Sequence, residues 1–128
     1  MIFIKFWKTI AITLVIFWGS ISSGNELNKI PFLDIHNMDK LIHFLMYFTL
    51  IISLLNSIVK QYSVLSNYKK LFSLFLVVCF GGLMEFSQFA ITSDRSAEFC
   101  DIIANCIGAI VGLIFYPILT KIKIVKWL

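Results

Sequence analysis

Three residues capable of acid–base or ligand chemistry stand at helical spacing where the second long apolar stretch of the chain begins. Asp39, His43 and Tyr47 follow one another at intervals of four, so a helix carries them on one face, with Lys40 beside them. Asp39 can simply begin the helix, Lys40 can reach the membrane surface, and Tyr47 can be an interfacial aromatic residue. Neither topology nor anchoring requires His43, which makes it the most informative of the four.

The third apolar stretch carries a carboxylate well inside a segment that is long enough to cross a bilayer. Gly81, Glu85 and Gln88 share one helical face there. A carboxylate that faces lipid at the bilayer centre costs about 2.5–3.5 kcal/mol on insertion scales. We therefore expect Glu85 to face other helices, either protonated or paired with a base. A purely structural interhelical hydrogen bond is the alternative for Glu85 and the commoner role of a residue such as Gln88.

A stripe of polar and then small residues runs along the fourth apolar stretch. Asp101 and Asn105 are polar, and Gly108 and Gly112 follow on the same face with the G-x-x-x-G spacing that permits close helix packing. Such packing would bring a neighbouring helix against Asp101 and Asn105. Arg95, the only arginine of the chain, precedes the stripe. Its guanidinium can clamp a phosphate or carboxylate, and a surface salt bridge in the turn is the alternative.

The composition indicates that these residues belong to a membrane protein. The chain has 128 residues, of which 59% are hydrophobic and only 14% are charged. A spanning helix needs roughly 20 mostly apolar residues. Four segments meet this requirement, at residues 6–22, 41–59, 71–92 and 99–119. We predict an all-α fold, a polytopic bundle of four transmembrane helices that forms one domain over residues 1–128.

The distribution of charge predicts the orientation of the spans. The acidic residues lie in or near segments 23–40 and 93–98, at one side of the predicted bundle. The opposite side carries lysines and no acid, at Lys5, Lys8, Lys60, Lys69, Lys70, Lys121, Lys123 and Lys126. Bases that flank spans stay in the cytoplasm. We expect both termini in the cytoplasm and the acidic residues near the outer face, and the net charge of +4 needs no nucleic-acid partner to explain it.

The first span has a second interpretation, as a signal peptide. Lys5 and Lys8, a short apolar run and the polar segment 20–24 resemble such a peptide. The run lacks a clear small-x-small cleavage pattern, which favours a retained helix. Cleavage would leave three spans in the same orientation.

No cofactor or metal motif is evident from residue spacing. Cys79, Cys100 and Cys106 form no recognisable pattern and are expected to be small apolar fillers. One histidine within the spans and scattered carboxylates are poor evidence for a zinc site. A Mg²⁺ ion held by carboxylates and waters is the alternative that stays open. The sequence therefore predicts neither a metal nor a cofactor.

The polar motifs together resemble those of a known family. From about Pro31 to Gly112, the order Asp39-Lys40-x-x-His43-Phe44-x-x-Tyr47, Glu85-x-x-Gln88-Phe89, Arg95 and Asp101-x-x-x-Asn105-x-x-Gly108-x-x-x-Gly112 is similar to that of the VanZ-like family. The resemblance implies a small multi-span helical protein of the bacterial cell membrane. Family members are associated with resistance to the glycopeptide antibiotic teicoplanin through an unknown mechanism. The family offers no catalytic residue or cofactor to carry over.

Polar residues at matched depth on three helices predict a shared pocket that opens outward, because lipid would penalise them singly. The preferred function is a non-enzymatic envelope protein that binds the anionic headgroup of a membrane lipid or a cell-wall lipid precursor. Arg95 and Lys40 would meet the anion, and the other pocket residues would orient them: Asp39, His43, Tyr47, Glu85, Gln88, Asp101 and Asn105.

Two other functions stay open at this point. The first is an intramembrane enzyme that acts on a lipid-linked substrate, with His43 and either Glu85 or Asp101 as general acid and base. The second is purely structural, with the polar residues specifying helix packing while a partner protein carries the function. The sequence leaves the oligomeric state open.

Overall fold

Four long helices make up most of the chain, which a computed structural model describes over residues 2–22, 38–91, 99–123 and 127–128. They are α1 (Ile2–Ile21), α2 (Met38–Tyr62), α3 (Asn67–Ile91) and α4 (Phe99–Leu119). Each helix is long and apolar enough to cross a membrane. The predicted all-α fold and four-helix transmembrane bundle are confirmed.

The helices coincide with the predicted spans and exceed several of them in length. The largest difference is the link between α2 and α3, which occupies only residues 63–66 instead of the predicted 60–70. Ser63 leaves α2 in the left-handed region, with φ of 58°. The hydroxyl of Ser66 accepts a hydrogen bond from the backbone N–H of Lys69 at 3.3 Å and so caps α3. Ser63 and Ser66 thus mark the end of α2 and the start of α3, two boundaries that hydropathy alone does not locate.

The central helix of the bundle is α2, which packs most extensively on α4 and also contacts α1 and α3. Its side chains at Tyr47, Ile51 and Leu55 are almost completely buried. Phe44, near the start of α2, lies against the first half of α4. The Tyr116 hydroxyl, near the end of α4, donates a hydrogen bond to Asn56 Oδ1 at 2.8 Å. These contacts show that α2 and α4 run parallel to each other.

Two glycines allow α4 to approach α2 closely. A Cβ atom on Gly108 would collide with the backbone carbonyl oxygen of Phe44. A Cβ atom on Gly112 would lie 2.5 Å from Ile51 Cγ2 and 3.1 Å from the carbonyl oxygen of Phe48. Small residues at such contacts are a common means of helix association in membranes. The approach brings the polar half of α4 against the start of α2.

The outward faces of the helices are apolar, as contact with lipid requires. Large hydrophobic side chains on α1, α3 and α4 are at least 60% exposed, among them Leu14, Trp18, Phe75, Phe86 and Ile114. Those on the central helix, α2, are at most 54% exposed. Polar side chains instead collect inside the bundle, where neighbouring helices can satisfy their hydrogen bonds. The burial pattern is therefore that of a protein whose solvent is the bilayer.

The bundle has two chemically different ends. The acidic end is the one where α2 and α4 begin and α3 terminates, and it carries Asp39 and Asp101. The lysine end is the opposite one, where α2 terminates near Lys60. At the lysine end, the hydroxyl of Thr9 lies 3.1 Å from that of Ser53 and 2.9 Å from that of Ser57. This hydroxyl contact joins α1 to α2. Further along α1, Ile16 lines a cavity together with Leu45, which precedes Ser53 in α2, so the two helices run antiparallel.

Candidate functional site

A buried cluster of polar side chains centres on His43 at the acidic end. His43 lies five residues after the start of α2, which places it about 7.5 Å along the helix. Its ring Nδ1 is 3.0 Å from Asn105 Oδ1 and 3.5 Å from Glu85 Oε1. Its Nε2 is 3.9 Å from Asp101 Oδ2. The imidazole therefore stands between two carboxylates, one from α3 and one from α4.

Asn105 connects the histidine to the carboxylate of α3. Its side-chain oxygen faces His43 Nδ1, and its amide nitrogen donates a hydrogen bond to Glu85 Oε1 at 3.4 Å. When Asn105 accepts the hydrogen of Nδ1, the neutral imidazole keeps its lone pair on Nε2, towards Asp101. In that tautomer, Nε2 is the ring nitrogen that is available for chemistry.

Glu85 faces the interior of the bundle, as the cost of a lipid-facing carboxylate led us to expect. It lies six residues before the end of α3, about 9 Å inside the helix end, and only 2% of it is exposed. Asn105 lies six residues after the start of α4 and is equally buried. The similar depths on α2, α3 and α4 let the three side chains meet in one layer.

Lys40 forms the rim of the cluster. Its Nζ lies 2.9 Å from Asp39 Oδ2 and 3.6 Å from Asp101 Oδ1. The side chain of Lys40 is 29% exposed and that of Asp39 is 45% exposed, whereas that of Asp101 is only 8% exposed. The ammonium thus links an accessible carboxylate to a buried one. Asp101 is placed between this ammonium and the His43 ring.

Two further predicted residues lie beside the cluster. Tyr47 is 1% exposed, and its hydroxyl has no hydrogen-bond partner among the described residues. Its ring rests against Gly81, where a Cβ atom would come within 3.1 Å of Tyr47 Cε1. Gln88 is 2% exposed and follows Glu85 by three residues, on the same face of α3. Both residues therefore border the layer that contains His43.

Arg95, the predicted anion clamp, lies outside the described residues. The role of Arg95 stays a prediction. The other predicted pocket residues all lie at the acidic end, on α2, α3 and α4: Asp39, Lys40, His43, Tyr47, Glu85, Gln88, Asp101 and Asn105.

Three of the predicted pocket residues come close enough to share one ion. His43, Glu85 and Asp101 each offer one potential ligand atom, and these three atoms all lie within 4.8 Å of one another. The matched depth of the three residues predicted that they share a pocket. It did not predict a set of metal ligands, because the residues come from three helices and have no motif spacing.

A separate apolar cavity lies between α1 and α2. It has a volume of about 360 Å³ and is lined by Ala11, Ile12, Val15, Ile16, Leu45, Met46 and Thr49. Leu45 is 48% exposed, so the cavity borders the lipid-facing surface. It is distinct from the polar cluster, although Leu45 follows His43 by only two residues.

Comparison with protein families supports the resemblance seen in the motifs. The family model described as VanZ/LLP1 matches residues 2–120, which is nearly the whole chain. Neither a curated protein nor a solved structure matches the chain.

Proposed function

The chain belongs to the VanZ/LLP1 family, and from that premise we propose that it is a non-enzymatic envelope protein that binds a lipid headgroup. The ligand is the polar headgroup of an anionic membrane lipid or of a cell-wall lipid precursor. The binding site is the polar cluster at the acidic end, which faces outward from the bacterial inner membrane. Both termini are then cytoplasmic, in keeping with the lysines that flank the spans.

The position of Lys40 is the observation that carries this proposal. Its ammonium is part-exposed at the rim and already bridges Asp39 and the buried Asp101. A phosphate can replace the contact with Asp39, because that carboxylate is accessible to water and loses little by being released. Asp101 would stay in place and keep the ammonium at the rim. Arg95 would add a planar, two-pronged contact to the same anion.

The apolar cavity supports a lipid rather than a free anion as the ligand. Its lining is hydrocarbon apart from Thr49. The Thr49 hydroxyl already donates a hydrogen bond to the carbonyl oxygen of Leu45 at 2.7 Å. A groove of this kind suits an acyl chain. The cavity lies on a different face of α2 from His43, since residues two apart in a helix do not face each other. Its part in the proposal is to hold an acyl chain beside α1, on the lipid-facing side of the same helix.

Lipid retention by purified protein tests the proposal. Lys40→Ala should lower the anionic lipid retained in native mass spectra by about tenfold or more, since hydrogen bonds to charged groups contribute about 1.5–3 kcal/mol. Lys60→Ala is the matched control, because Lys60 is exposed at the lysine end. Equal retention by wild type and Lys40→Ala, or equal losses in both variants, would contradict headgroup binding at this rim.

A second candidate function is an intramembrane enzyme that acts on a lipid-linked substrate. The arrangement that favours it is His43 with a carboxylate within 4 Å of each ring nitrogen, since Nδ1 is 3.5 Å from Glu85 and Nε2 is 3.9 Å from Asp101. A base oriented in this way can exchange a proton with a substrate hydroxyl or phosphate. Turnover of a lipid-linked substrate by purified protein, lost in His43→Gln, would favour the enzyme over the binder.

We also propose a link to glycopeptide susceptibility, through binding of a cell-wall lipid precursor. Expression in a teicoplanin-sensitive bacterium should raise the inhibitory concentration, and Lys40→Ala at the same membrane abundance should remove the increase. An increase that persists in Lys40→Ala would separate resistance from the headgroup site.

A further inference from the structure

We propose that His43, Glu85 and Asp101 bind a divalent metal ion of the zinc class at the acidic end of the bundle. The site goes beyond headgroup binding and does not depend on it. It is assembled from α2, α3 and α4 in the layer below Lys40.

The spacing of the three side chains suits a small, four-coordinate ion. Their potential ligand atoms lie within 4.8 Å of one another. A tetrahedral zinc ion with nitrogen and oxygen bonds of about 2.0–2.2 Å holds its ligand atoms roughly 3.4 Å apart. With the ion on His43 Nε2, Asp101 Oδ2 at 3.9 Å is already close to that spacing. Glu85 lies 3.5 Å from the other ring nitrogen, Nδ1, and reaches the ion by side-chain rotation towards Nε2.

Asn105 provides the supporting contact that metal-binding histidines usually have. An imidazole that binds a metal through one nitrogen generally donates the hydrogen of the other nitrogen to a carbonyl or carboxylate oxygen. Asn105 Oδ1 is such an acceptor, 3.0 Å from His43 Nδ1. The Nε2 lone pair then faces Asp101 and is available to the ion.

The hydroxyl of Tyr47 is an independent indication of a missing ligand. It is buried without a hydrogen-bond partner among the described residues, which is unfavourable for a hydroxyl. Tyr47 Cζ, which bears this hydroxyl, and Asn105 Cβ both lie 3.4 Å from the point that a Gly81 Cβ would occupy. A water molecule on the open position of a three-ligand ion would give the hydroxyl a partner.

The type of ligand selects the class of ion. One imidazole and two carboxylates suit zinc, whereas Ca²⁺ takes six to eight oxygen ligands and Mg²⁺ keeps an octahedral shell with several waters.

Zinc titration of the full chain, purified in detergent and stripped with a chelator, tests the site. We expect about one Zn²⁺ per chain by elemental analysis, a raised Tm, and no comparable effect of Ca²⁺ at equal concentration. Co²⁺ should give the visible absorption bands of a four-coordinate site. The variants His43→Ala, Glu85→Gln and Asp101→Asn should each weaken Zn²⁺ binding by at least about tenfold, because even supporting groups of metal sites contribute that much.

Three control variants distinguish this site from adventitious binding. His36→Ala removes the other histidine of the chain, Asp39→Asn removes the accessible carboxylate, and replacement of Cys79, Cys100 and Cys106 by Ala removes every thiol. All three should bind Zn²⁺ as wild type does. Zinc binding that survives in the three ligand variants, or that is lost in these controls, would overturn the proposal. If a ligand variant fails to fold, the wild-type protein still decides: no bound zinc and no Co²⁺ spectrum would refute the site.

Discussion

His43 on α2 and Asp101 on α4 face each other across the most extensively packed helix pair of the bundle, with Nε2 3.9 Å from Oδ2. Their helices run parallel and are held together by Gly108 against the backbone of Phe44, the residue that follows His43. The polar cluster and the glycine contact are therefore parts of one interface.

The glycine contact predicts a large effect of one methyl group. Gly108→Ala should lower the free energy of unfolding by about 1–3 kcal/mol, since its Cβ would meet the Phe44 carbonyl oxygen, which is backbone and cannot rotate away. Gly82→Ala is the matched control, because nothing lies within 4 Å of the position of its Cβ. The measurement is reversible unfolding in mixed detergent. Equal stability of the two variants would show that the close approach does not exist in the membrane protein.

The hydrogen bond from Tyr116 to Asn56 allows a direct measurement of one interhelical contact at the lysine end. Tyr116→Phe should destabilise the protein by about 0.6 kcal/mol, the mean for such bonds in a membrane protein, with about 1.7 kcal/mol as the upper end. A double-mutant cycle with Asn56→Leu isolates the pairwise energy. Tyr68→Phe serves as the control, since Tyr68 is 76% exposed. A coupling energy of zero would mean that the two side chains do not meet.

The proposed orientation predicts the accessibility of single cysteines in a background without the native thiols. Asn28→Cys should react with a membrane-impermeant reagent from outside, whereas Leu65→Cys and Lys126→Cys should react only from the cytoplasm. Leu65 lies in the short link between α2 and α3. Labelling of Leu65→Cys from outside would show that the bundle has the opposite orientation, with the polar cluster at the inner face.

The proposed anion clamp predicts that arginine and lysine are not equivalent at position 95. Arg95→Ala should abolish headgroup binding in a protein that still folds, and Arg95→Lys should restore it only partly, because a guanidinium grips phosphate in two places and an ammonium does not. The measurement is lipid retention normalised to membrane abundance. A salt bridge of purely structural value would instead lower Tm in step with binding, and full binding by Arg95→Ala would remove the anion clamp from the proposal.

The layout of the bundle could be predicted from the sequence because a bilayer imposes it. Spans follow from length and hydropathy, and the inward direction of Glu85 follows from the cost of exposing a carboxylate to lipid. Matched depth predicted that His43, Glu85 and Asp101 share a pocket, but not that one ligand atom from each lies within 4.8 Å of the others. That distance depends on the rotation of three helices, which hydropathy leaves undetermined.

The hydroxyl contact at the lysine end was missed for a different reason. Serine and threonine in a helix can bond to the carbonyl of the preceding turn, as Ser73 does with Lys69 at 2.7 Å. Their presence in a span therefore carries no information about partners. Thr9 and Ser53 meet only because α1 and α2 cross at that level.

Gly108 sets the axial register of α4 for every residue that precedes it. Asn105 is three residues away, about 4.5 Å along the axis, and a slide of one turn, about 5.4 Å, would carry it past His43 altogether. In a deep mutational scan, substitutions at Gly108 should therefore produce the same phenotypes as substitutions at His43. Changes at lipid-facing positions of the same helix, such as Ile114, should be tolerated.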